Sequence, residues 1–262
     1  MSLLRQSLCA SLAALVLTAA PSGHAQQRDR LPQPAKAEQL FALANQTRQQ
    51  EGRGRLEWDQ ALADAAMKHC LRMAAEGPIS HRYEGEPDLT ARAGAAGAHF
   101  SLIEENIAVG SYPGSIHQGW LNSPGHRANL LNAEIDRIGI AVVAAQGVLF
   151  AVADYSRAVP VLTQSEVEST VARMIRAKGL ALRRDPATAR AACRLDHGLP
   201  AASGGDMPHF IMRWQDANLD QLPPRLVESI ASGQYRQAEV GSCPASSAEG
   251  AFTVYRIAVL LY

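Results

Sequence analysis

Three residues between positions 80 and 130 are of types that do chemistry at element ends: His81, Glu105 and His126. Two imidazoles and one carboxylate make the ligand set of an open zinc site, in which a fourth position is left for water or substrate. His126 is the third residue of a helix that Ser123-Pro124-Gly125 would open. The partial positive charge of a helix N-terminus disfavours the imidazolium there, and the neutral imidazole is the form that a divalent metal takes. No two of the three share a helix turn. Spacing alone therefore leaves a second reading open, in which hydrogen-bonded histidines tie a loop to a helix. Other machinery is missing from the chain: it has no GxxxxGK[ST], no GxGxxG after a strand, no HExxH and no GxSxG. His69 and Cys70 are adjacent in a helical segment. They point about 100° apart and cannot serve as base and nucleophile to one another.

The elements that must position these residues are read from periodicity and from start and stop signals. One helix is expected over 37–50. A second starts at the N-cap Asp59, carries the apolar stripe Leu62, Ala65, Ala66, His69 and Met73, and stops at Gly77. A short helix is expected over 89–93. Glu104-Glu105-Asn106-Ile107-Ala108 leads into a helical stretch ending at Trp120, and Ser123 (N-cap) with Pro124 (N1) opens the next helix. Strands at 136–144 and 148–155, joined at Gln146-Gly147, close this half as a hairpin. Helices followed by a hairpin describe an α+β layered domain. Residues 158–163 read as a linker. Beyond it, Ser165 with Glu168 reads as a capping box opening a helix that Gly179 ends. Asp185-Pro186 starts a helix carrying Cys193, 201–205 is a flexible loop, 209–214 a strand, 224–231 a helix and 252–262 an apolar β run.

The chain has 262 residues, 47% of them hydrophobic, and 25 basic side chains balance 25 acidic ones. That composition suits a folded protein and lacks the basic footprint of a nucleic-acid binder. Residues 1–25 have the three parts of a secretory signal: Arg5, an apolar core over 8–20, and Gly23-His24-Ala25 with cleavage expected after Ala25. The expected destination is periplasmic or secreted, with a flexible leader over 26–35. No later segment approaches the ~20 apolar residues of a membrane span. Three cysteines remain, Cys70, Cys193 and Cys243, an odd number that allows one pair or none. Cys70, in an Ala-rich helix, reads as a buried small hydrophobe; Cys193 and Cys243, both in the last hundred residues, are the pair expected.

The segments LANQTRQQEGRGRLEWDQALADAAMKHCLRMA, ISH, EENIAVG, GWLNSPGHRANLL and IGIAVV occur in that order between residues 40 and 155. This run resembles the SCP/CAP domain of cysteine-rich secretory proteins, antigen 5 and plant pathogenesis-related 1 proteins, in its shorter bacterial form. The resemblance implies an α–β–α sandwich (the CAP fold) over 36–157; residues 164–262 read on their own pattern as a small α+β domain of no recognised family. The resemblance also implies a cavity in which two His and two Glu hold a divalent metal, often zinc. His81, Glu105 and His126 match three of the four, and Ser123 stands where the second Glu is expected. Glu84, Glu86 and Glu104 are the nearby carboxylates that could substitute. Asn106, Trp120, Arg127 and Asn129 match motif positions and are assigned to structure. The function expected is an exported binding module for metal, lipid or envelope glycan. The alternatives are a metal-dependent hydrolase using His81, Glu105 and His126, and a structural adhesion protein of the envelope.

Overall fold

The computed structural model describes residues 30–199, 206–244 and 252–262. The expected signal peptide with its cleavage site, and the expected loop at 201–205, lie outside the described residues. Within them, two sheets each carry their own helices.

The first sheet is built from β1 (Leu31–Pro32), β2 (Glu57–Trp58), β3 (Phe100–Gly110), β4 (Arg137–Ala145) and β5 (Val148–Ala158). Its order is β1-β4-β5-β3, with β2 also paired to β4, so β3 forms one edge. Strands β4 and β5 are apolar almost throughout, because helices cover both faces of the sheet. One face packs on α1 (Pro34–Gln50), α4 (Pro113–Asn122) and α5 (Pro124–Leu131): Leu40, Ile116, Trp120 and Leu130 meet Ile138, Ile140, Ala151 and Tyr155. The other face packs on α2 (Gln60–Glu76), where Ala66, Cys70 and Met73 meet Ala141, Val143 and Val152. The short α3 (Leu89–Ala95) adds Ala93 beside Leu62 and Phe100. The result is the expected α–β–α sandwich.

The second sheet runs β6-β8-β9-β7, from β6 (Ala181–Leu182), β7 (Phe210–Asp216), β8 (Gln237–Cys243) and β9 (Tyr255–Leu261). Helices α6 (Gln164–Ala177) and α8 (Pro224–Ala231) bury Val171, Ile175, Leu226 and Ile230 against Val240, Ile257 and Val259. Helix α7 (Ala187–Cys193) packs on the opposite face through Ala189, Ala192 and Cys193.

Several local expectations are corrected. Glu104 to Ala108 belong to strand β3, which pairs with β5 along its length, and the helix ending past Trp120 begins only at Pro113. Strand β8, which the sequence reading does not contain, is the central partner of β9. The capping box of α6 is Thr163 with Glu166, two residues earlier than Ser165 with Glu168: Glu166 accepts from the Thr163 amide at 2.7 Å. Glu168 is drawn into the interior instead, where it binds Arg190 and the Ser242 amide. Ser123 stands at the N-cap position of α5 but makes no side-chain capping bond.

Cys193 and Cys243 form a disulfide across α7 and β8, and Cys70 is the free, buried thiol. The bridge closes a loop of 50 residues. Replacing both cysteines with serine is expected to lower stability by roughly 2–4 kcal/mol, as loss of a loop-closing crosslink usually does. The loss should be confined to the second unit, so hydrogen exchange in β7–β9 should speed up while β4 and β5 keep their protection. Equal loss in both sheets would show that the two units unfold as one.

Candidate functional site

The site is assembled from the loop after α2, the edge strand β3 and the start of α5. In β3, side chains alternate between faces. Glu105 and Ile107 point to the α2 side, whereas Asn106 points to the α4 and α5 side. Asn106 donates to the His126 carbonyl at 2.9 Å, and Asn129 donates to the Glu105 carbonyl at 3.2 Å and to the Asn106 side-chain oxygen at 3.0 Å. Trp120 is buried and donates from its indole to the Ile107 carbonyl. Glu105 and Asn106 thus fix α5, the helix that carries His126, and Ile107 holds the preceding α4, as expected of the motif residues. Arg127 makes a surface ion pair with Glu51.

The loop bearing His81 is anchored from below by a histidine that sequence reasoning set aside. His69 is wholly buried in α2. Its two ring nitrogens face the Glu86 carboxylate at 2.8 Å and the Ser80 carbonyl at 3.0 Å. Glu86 also accepts from the Tyr83 amide. Burial acts to raise the Glu86 carboxyl, but the hydrogen bonds from His69 and Tyr83 outweigh it and hold the group below its ordinary value. Glu86 is therefore an anchor of the loop, not a substitute ligand. Glu104 binds Asn132 on the other face, and Glu84 is exposed.

At the centre stands Glu105, 5% exposed. One of its oxygens takes the His81 Nδ1 at 2.8 Å and the other takes the Arg92 guanidinium at 2.5 Å. Arg92, on α3, also donates to the His81 carbonyl at 3.1 Å. The His81 side chain is 58% exposed, so its Nε2 faces solvent. The bond to Glu105 raises the His81 imidazole above its ordinary value. Partial burial, and secondly the neighbouring His81, lower that of His126, whose ring has no hydrogen-bond partner among the described residues. The neutral form expected for His126 is favoured, but by burial and a like-charged neighbour more than by the helix end. His81, Glu105 and His126 are brought together; Ser123 lies at the α4–α5 junction and makes no side-chain hydrogen bond to them. Among the described residues, no three His, Cys, Asp or Glu side chains are arranged as a ready ligand set.

Sequence reasoning missed Asp154. It sits on β5 directly opposite Glu105 in the ladder, fully buried, with neither carboxyl oxygen hydrogen-bonded to a donor. Burial first, and the Glu105 carboxylate next, push its carboxyl well above the usual carboxylate range. Such burial beside the Glu105 carboxylate favours the neutral acid over a second bare carboxylate. The native state then keeps a proton that the unfolded chain releases near pH 4. Stability therefore falls as pH rises from about 4 through the raised native value. Asp154→Asn, which keeps the shape and a donor, is expected to flatten that slope and to gain about 1–2 kcal/mol at pH 8. Urea melts at pH 5 and pH 8 would check this; an unchanged slope would show that Asp154 is ionised in the fold.

Residues 41–155 match the model of the cysteine-rich secretory protein family, CAP. They form a CAP domain. The uncharacterized membrane protein YlbC of Bacillus subtilis is 34% identical over 111 residues, which is 42% of this chain and 32% of that protein. The uncharacterized YkwD of the same organism is 29% identical over 113 residues, 42% of this chain and 43% of that protein. The chain thus spans less than half the length of these curated relatives. Among solved structures, an outer surface protein of Borrelia burgdorferi aligns with a TM-score of 0.46 at 22% identity, covering 49% of this chain and 97% of that one. An extracellular SCP-domain protein of Bacillus anthracis aligns with a TM-score of 0.44 at 29% identity, covering 53% and 45%. Among the described residues of this chain, no helix is long and apolar enough to cross a membrane.

Proposed function

We propose that this protein is an exported binding module whose CAP domain holds a divalent cation, zinc or a relative, between His81 and His126. The observation that carries the reading is the His81–Glu105 pair. Glu105 accepts a hydrogen bond from His81 Nδ1–H and leaves the Nε2 lone pair facing outward, the arrangement by which a carboxylate orients a metal-binding imidazole. Glu105 thereby passes from the ligand expected on sequence grounds to a positioning residue, since its other oxygen is bound to Arg92. A bound cation would supply a Lewis-acid position open to a ligand, with an envelope lipid or glycan as the partner class. The hydrolase alternative needs Glu105 to act on water, and its two oxygens are already spent on His81 and Arg92. Export is supported by the N-terminal segment and by the Cys193–Cys243 bridge, which belongs to an oxidising compartment.

Zinc titration calorimetry on the purified protein tests the reading. One equivalent is expected to bind, with binding lost in the His81→Ala, His126→Ala double variant. Glu105→Gln should weaken binding about 10- to 100-fold, as the loss of an orienting carboxylate does. Binding that survives in the double variant would place the metal elsewhere. No binding by any form, with stability alone changed, would favour the structural adhesion reading.

A further inference from the structure

A second site lies at the other edge of the first sheet, away from β3. There α1 and α2, which pack on opposite faces of the sheet, flank the short β2 and leave a cleft of about 480 Å³ lined by Phe41, Trp58, Met67, Ala63 and Ile140. That volume falls in the range of small-molecule pockets, about 300–1,000 Å³. Its aromatic wall is preset: Phe41 meets Trp58 edge-on at 5.6 Å between ring centres, and the Trp58 indole donates to Gln60. Trp58 remains 37% exposed, unusually open for so large an apolar ring.

The two charged residues lining the cleft, Glu38 and Asp64, are both acidic and exposed. Neither has a cationic partner: Asp64 accepts only from the Gln60 amide, and no ion pair or hydrogen bond of the Glu38 side chain is found among the described residues. An apolar floor, an indole face and two uncompensated carboxylates are complementary to one kind of guest, a cation that carries its own carbon body. A fatty acid would set its carboxylate against Glu38 and Asp64. A neutral apolar guest would leave both carboxylates unused.

We infer that the α1–α2 cleft is a binding site for a small organic cation of the alkylammonium class, with the ammonium between Glu38 and Asp64 against the Trp58 ring and the alkyl chain on Phe41, Met67 and Ile140. A tryptophan face is the strongest aromatic partner for such a cation. The site is independent of the His81 centre.

Titration of the purified protein with hexyltrimethylammonium, followed by calorimetry and by NMR of the Trp58 indole, tests this. Saturable binding is expected, at least tenfold tighter than for hexanol or hexanoate and weakened by salt. Glu38→Gln with Asp64→Asn should lower affinity at least tenfold; both positions are exposed, so the fold should be unaffected, and circular dichroism would confirm it. Trp58→Phe should give an intermediate loss. Equal binding of hexanol or hexanoate, or affinity unchanged in the Glu38/Asp64 variant, would overturn the proposal, as would the absence of saturable binding. Perturbation of the same indole by raised protein concentration alone would assign the cleft to a second copy of the chain, and would overturn it too.

Discussion

Gly139→Ala is expected to destabilise the protein by about 4 kcal/mol or more, a loss at the extreme of single substitutions. A methyl group at this position would overlap the Ala63 amide nitrogen and the Leu62 carbonyl carbon, both backbone atoms of α2. A side-chain clash can be relieved by a rotamer change, but here the whole helix must lift from β4, and overpacking of that kind cannot be relieved locally. Gly139 stands opposite Asp154 on β5, which stands opposite Glu105 on β3. The absence of a side chain at Gly139 is thus what lets α2 settle close enough to wall Asp154 off from water. Gly241 holds the same relation to α7 in the second sheet, where a methyl would overlap the Arg190 backbone. Urea melts should show the midpoint of Gly139→Ala far below that of the parent, with the His81 loop exchanging its amides early. A loss under about 1 kcal/mol would mean that α2 can shift freely and that Asp154 is not sealed from water.

The elements that read clearly in the sequence were those with a single dominant physical cause. Asp59 caps α2 as its position and the apolar stripe require, donating nothing and accepting from the Leu62 amide. The hairpin of β4 and β5 follows from two apolar runs around Gln146-Gly147, both with positive φ. Strand β3 was obscured because Glu104, Glu105 and Ala108 are good helix formers; their β geometry comes from pairing with β5, a long-range contact that no local window contains. The site was half legible. His81, Glu105 and His126 stood out by residue type at element ends and then by resemblance, whereas the residues that determine their state did not. Asp154 is hidden inside the apolar run VLFAVADY, Arg92 sits in a short Ala-containing helix where nothing marks it as buried, and His69, though on the apolar stripe of its helix, has its partners Glu86 and Ser80 outside that helix. Burial and cross-strand register are tertiary properties, and they turn Glu105 from an available ligand into an engaged one.

Arg92→Ala is expected to cost about 3–5 kcal/mol at pH 8, the usual loss when one member of a buried ion pair is removed. Arg92 and Glu105 side chains are 5% and 3% exposed, so water cannot replace the guanidinium cheaply. The loss would leave Glu105 facing Asp154 with no cation between them and would free the His81 carbonyl that Arg92 holds. Arg92 at present lowers the Asp154 carboxyl against the larger upward effects of burial and Glu105. Without it the native pair must take up a proton more avidly than the unfolded chain does, so the variant should recover stability as pH falls toward the ordinary carboxylate range. The defect measured by denaturant melts should therefore shrink between pH 8 and pH 5, whereas loss of packing alone would leave it constant. Combining Arg92→Ala with Asp154→Asn should restore part of the stability at pH 8, because residues in one network couple. Zinc binding should weaken in Arg92→Ala as in Glu105→Gln, since an unheld Glu105 no longer fixes the His81 ring. A defect that is constant with pH, additive with Asp154→Asn and silent in zinc binding would show that Arg92 serves only to fill space between α3 and β3.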